Sequence, residues 1–179
     1  MIARRWFVTN AFDGNLSILG LLLGSRAVRD GAPEASLLLA AGLGICGALA
    51  ISQSAGNILT ERAERVRHLK ELEDSMLRSL NDTIHEDAAV AAPLIAGFIG
   101  GTLPAAYTTL TLIPYMLGYL GLIGSEQAFW FSVGGVLLSV FFLGVLLGTI
   151  SRTSLLLAGL KMVAVGALTA ALLFLVGVL

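Results

Sequence analysis

The chain has little of what a soluble enzyme usually relies on: one cysteine, two histidines, four prolines and only 13% charged residues in 179. A lone Cys46, set in an apolar run, excludes an intrachain disulfide framework and a cysteine metal cluster, and reads as a small core residue. The two signs of charge nearly cancel, to a formal net −1, so there is no bulk electrostatic case for a nucleic-acid partner. His-Glu-x-x-His, Gly-x-Ser-x-Gly and Gly-Lys-Ser/Thr phosphate-loop patterns are all missing. Both histidines lie in one segment, away from any candidate nucleophile. The expectation is a protein that is not an enzyme and holds no permanent cofactor.

What is present is apolar surface. Hydrophobic residues make up 56% of the chain, and mean hydropathy is +0.88, more than a soluble core of this size needs. The apolar runs are too long and continuous for barrel strands, which alternate over about ten residues. The class is an all-α integral membrane protein.

Span one runs from about Trp6 to Gly24, read as retained rather than as a cleaved signal, because Asp13 interrupts it and no small-residue cleavage site follows. A polar link, Ser25 to Glu34, leads into the uncharged span two, Ser36 to Thr60. From Glu61 to Asp87 the character reverses, with most of the chain's acids, five Lys/Arg and both histidines. The chain therefore divides at 1–60, 61–87 and 88–179.

The stretch Ala88–Ser125 is too long for one straight span and carries Pro93, Pro104 and Pro114. Positive charge decides how to count it. With five spans and the N-terminus inside, Arg4, Arg5, Arg62, Arg65, Arg67, Lys70, Arg78, Arg152 and Lys161 are cytoplasmic, and only Arg26 and Arg29 are external. Two spans there would put Arg152 and Lys161 outside. The reading is thus five spans in a cell membrane, with an external C-terminus, a third helix kinked near Pro104, and Pro114 trailing into an external loop. Gly20-x-x-x-Gly24, Gly97-x-x-x-Gly101 and Gly144-x-x-x-Gly148 offer close helix contacts. Five helices are few for enclosing a polar path, so a homodimer is expected.

Asp13 is the carboxylate placed deepest in a span. It lies about 12 Å of helix from Arg5 and about 20 Å from Arg26, well inside a hydrocarbon core of about 30 Å. A charge there calls for a cavity, a partner or a bound ion. Asp13-Gly14-Asn15 is also a turn and cap signal, and a structural hydrogen bond stands beside the ion-binding reading. In span two, Gln53, Asn57 and Thr60 share one helical face. They could give neutral oxygens to a cation, or simply hydrogen-bond between helices.

Glu61, Glu64, His68 and Glu71 recur at helical intervals on the charged segment, as donors for a divalent metal. Its apolar stripe is Leu69, Leu72, Met76, Leu80 and Ile84. Glu61–Arg65, Arg67–Glu71 and Lys70–Asp74 would equally form solubilising i,i+4 pairs. His85 and Glu86, at the mouth of span three, are a second possible collecting point.

Asp13-Gly14 followed by Leu19-Gly20-Leu21, and Ala50-Ile51-Ser52-Gln53-Ser54-Ala55-Gly56-Asn57-Ile58-Leu59-Thr60, resemble the first and second helices of the vacuolar iron transporter family. The charged helix, Ala96 to Pro104 and Gly159 to Gly177 fit the same layout, most like the short archaeal-type members. The resemblance implies a five-helix protomer that dimerises, with a path between helices one and two of both subunits. It implies export of cytosolic Fe2+ or Mn2+ by proton antiport, with Asp13 matching the path aspartate and Glu61, Glu64 and Glu71 falling in the glutamate-bearing helix. Gln53 replaces the family's usual methionine and Asn57 its glutamate. Both changes lower the expected affinity for Fe2+ and remove a proton carrier. The competing reading is a membrane protein that keeps the fold and has lost transport.

Overall fold

A computed structural model describes residues 2–27, 34–76 and 84–178, and these are helical apart from short turns. The elements are α1 (Ile2–Ala27), α2 (Ala35–Met76), α3 (Ile84–Thr109), a 3-10 turn (Leu110–Leu112), α4 (Ile113–Tyr119), α5 (Ser125–Ser151) and α6 (Leu155–Val178). Five helical segments among the described residues are long and apolar enough to cross a membrane, the third running Pro93–Tyr119. The bundle follows the five-span count.

α1 is the central helix, touching α2, α3, α5 and α6. Its Ile18, Leu19 and Leu22 are buried against Leu38 and Cys46 of α2, Leu112, Tyr115, and Phe129, Val136 and Val140 of α5. Asp13-Gly14-Asn15 does not turn the chain. Asn15 donates to the Ala11 carbonyl (2.7 Å) and Ser17 to the Asp13 carbonyl (2.9 Å), so the polar side chains are accommodated within the helix. Gly14 is needed for a close approach instead: a Cβ there would collide with the Thr108 side chain of α3.

Pro104 is absorbed within the bundle. Pro104 has no N–H to give Gly100 four residues back, and the Asn10 side chain of α1 donates to that Gly100 carbonyl at 2.8 Å. Pro114 does not trail into a loop. The 3-10 turn tightens the chain just before it, and Pro114 sits in the first turn of α4, where its missing N–H would find no helical partner anyway. α4 thereby extends the third span and fully buries Tyr115.

Two of the three glycine pairs are seams. Gly97 and Gly101 lie against Ile58 and Ser54 of α2, and Gly144 stands where a Cβ would come within 2.7 Å of the Ala158 carbonyl oxygen on α6. Gly24 has nothing within 4 Å among the described residues. At one end of the bundle Arg26 of α1 forks onto Glu126 of α5 (2.6 and 3.0 Å) and lies over the Phe129 ring at 4.6 Å. The last turn of α1 and the first of α5 therefore share that end, as an up-down order of five spans requires.

Candidate ion path

Asp13 lies mid-way along α1, on the face turned away from the core. Thr9, Asp13 and Ser17, one helical turn apart, are all exposed on the single chain, while the opposite face carrying Ala11, Gly14, Asn15 and Ile18 is buried. Among the described residues the Asp13 carboxylate has no ion pair and no hydrogen-bond donor. It is neither locked against an arginine nor lifted to a helix end. On α2, the small or polar Gly44, Ala48, Ser52, Ala55 and Gly56 are exposed, together with the larger Ile51 and Leu59.

Gln53 and Asn57 are half-buried and turn toward α1 and α3. Gln53 Nε2 donates to the Asn10 carbonyl of α1 at 3.2 Å, leaving its Oε1 buried with no donor; Asn57 lies beside Gly100, its Nδ2 buried without an acceptor. Of these two amides only Gln53 is bonded to α1, at Asn10, three residues before Asp13. No hydrogen bond joins them to the Asp13 side chain. Interhelical bonding, one of the two sequence readings, is what Gln53 does here.

Glu61 continues this face of α2 and is 4% exposed. Its Oε1 accepts from Arg65 Nε at 2.7 Å, and its Oε2 is buried without a donor. Glu64, His68 and Glu71, further along, are exposed; Glu71 pairs with Arg67 at 2.9 Å. Among the described residues no three His, Cys, Asp or Glu side chains converge as a metal cluster. Glu61, Glu64, His68 and Glu71 therefore share a side of α2 without closing on one point within a single chain. His85 and Glu86 stand in the first turn of α3, and their side chains lie outside the described residues.

Sequence reasoning passed over Asn10 and Asn15. The available signal was an amide in the first span: Asn10 pairs with the carbonyl freed by Pro104, and Asn15 is fully buried with its Oδ1 unpartnered. The Arg26–Glu126 fork was legible only as two opposite charges at span ends.

Comparison with known proteins fits this architecture. A family model described as the VIT family matches residues 58–178, from the second half of α2 through α6. An uncharacterised protein of Methanocaldococcus jannaschii is 32% identical over 172 residues, covering 94% of this chain and 85% of that protein, and so takes in α1 as well. No solved structure matches the chain. The chain is a member of the VIT family.

Proposed function

We propose that this protein exports a divalent metal ion, Fe2+ or Mn2+, from the cytosol in exchange for protons, working as a homodimer. VIT family membership points to membrane metal-ion transport. The observation that carries the reading for this chain is Asp13, a carboxylate at mid-span, on the outer face and without a partner among the described residues. Against lipid, such a charge costs about 3 kcal/mol by insertion scales. A second copy laying its own α1 and α2 over this face removes that cost. It also brings two carboxylates into one dry seam, where a divalent cation or a shared proton balances them. The exposed small residues of α2 permit that approach.

In this scheme the N-terminus is cytoplasmic and the C-terminus external. Glu64, His68 and Glu71 gather cations from the cytosol on the exposed end of α2. Glu61 stands where that end meets the span, and Gln53 and Asn57 supply neutral groups beside the path. His85 and Glu86 form the second collecting point. Asp13 binds the metal and returns a proton.

The alternative is a member that keeps the fold without transport. It is favoured by one observation: the Gln53 amide is spent on the Asn10 carbonyl instead of facing Asp13. Proteoliposomes with an imposed pH gradient separate the two. Asp13→Asn should lower Mn2+ and Fe2+ flux on the order of 100-fold or more while the protein still folds. Wild-type flux no greater than that of empty liposomes, for both metals, gives the non-transporting reading.

A further inference from the structure

α6 carries one charge, and the ion path does not use it. Lys161 lies seven residues into α6 from Ser154, about 10 Å along the helix axis, and its side chain is exposed on the outside of the bundle. From Gln127 to Leu179 the chain holds no acid at all. Glu126 stands at the other end of α5, about 39 Å of helix from Arg152. Lys161 has no ion pair among the described residues, and an ammonium in a span needs one or must reach an interface.

Lys161 borders a cleft of about 320 Å3 between the ends of α5 and α6. Leu147, Leu157, Met162 and Val165 make its wall apolar; Ser151, Thr153 and Ser154 line its polar end. The turn that closes this end carries a second exposed cation, Arg152, at φ 54°. α6 starts beside it, with its first-turn N–H groups directed toward the same end. An apolar trough whose lining holds three hydroxyls, one cation and no acid, with Arg152 exposed on the adjoining turn, is complementary to one kind of molecule: an amphiphile with an anionic head.

We infer that this cleft is a binding site for an anionic glycerophospholipid of the leaflet at the α5–α6 turn. One acyl chain lies along Leu147, Leu157 and Val165, and the phosphate is held by Lys161 and the Ser151–Ser154 turn. In the orientation proposed above, this is the cytoplasmic leaflet. The lipid neutralises Lys161 without any group from the Asp13 face, so the site works whether or not the protein transports metal.

The test uses full-length protein in phosphatidylcholine nanodiscs with traces of a photoactivatable lipid, and cross-linked peptides are then mapped. A phosphatidylglycerol probe should label the 147–165 region roughly five-fold more than a phosphatidylcholine probe, the contribution of one cation at a membrane surface. Lys161→Gln should abolish that preference and Lys161→Arg should keep it. Asp13→Asn should label like the wild type, which separates this site from the transport reading. Equal labelling by the two probes, or a preference untouched by Lys161→Gln, overturns the proposal. So does full competition by inorganic phosphate, which would mark an ion site instead of a lipid site.

Discussion

The outer faces of α1 and α6 obey opposite rules. α6 shows the surroundings Leu156, Leu160, Leu168 and Leu172, each more than half exposed, as a helix in lipid should. α1 shows Thr9, Asp13 and Ser17, and keeps Ile18, Leu19 and Leu22 inside. Nothing in α1 demands this, since the same helix buries Asn15 completely on its inner side. A span with a polar outer stripe is facing something other than lipid. In the proposed homodimer this stripe, with its carboxylate, is the face that the second copy covers.

Exchanging the two kinds of face should break the contrast most sharply. Leu168→Asp puts a carboxylate against lipid and should cost about 3 kcal/mol, read as loss of folded, monodisperse protein in detergent and nanodiscs. Asp13→Leu should leave the fold intact, because it removes a charge that has no partner among the described residues. If Asp13→Leu unfolds the protein, the carboxylate is structural.

The inner seams should be as unforgiving as the outer stripe is open. Gly101→Leu drives a side chain into Ser54, backbone included, and overpacking of that kind costs about 1–3 kcal/mol. Gly24→Leu, with open space around it, should melt within a degree or two of the wild type. Equal losses for both would mean that Gly24 is covered in the assembled protein, which would extend the interface to that end of α1.

A smaller effect separates two ion pairs of α2, Glu61–Arg65 and Arg67–Glu71. Arg65→Ala strands the buried Glu61 carboxylate and should cost about 1–2 kcal/mol, after allowing for the partial exposure of Arg65. Arg67→Ala loosens an exposed pair and should cost about 0.3 kcal/mol. Denaturation of the two variants side by side reads the difference.

Much of this architecture is legible in the residues alone, because lipid simplifies the rules. Uncharged runs of span length give the helices, and the distribution of Lys and Arg settles their number at five. The depth of Asp13 follows from helix rise and its distance from Arg5 and Arg26. Partners across the bundle are not legible. Asp13-Gly14-Asn15 has the letters of a turn, yet Gly14 is there for Thr108. Pro114 has the look of a helix end, yet it begins a helical turn that buries Tyr115. Gln53 and Asn57 share a helical face by periodicity, but only the neighbours Asn10 and Gly100 show which way that face turns. The pairing of Asn10 with the carbonyl freed by Pro104 joins residues ninety positions apart, and no local pattern announces it.

One measurement bears directly on the polar stripe. The single native thiol, Cys46, is buried, so a Cys46→Ala background can carry single probes at Ser17 on α1 and Leu168 on α6. Mild oxidation in native membranes should link Ser17→Cys into covalent dimers and leave Leu168→Cys monomeric. A dimer formed only through Leu168→Cys, with Ser17→Cys instead open to a lipid-soluble maleimide, would show that the Asp13 face looks into the bilayer and that no ion path is built there.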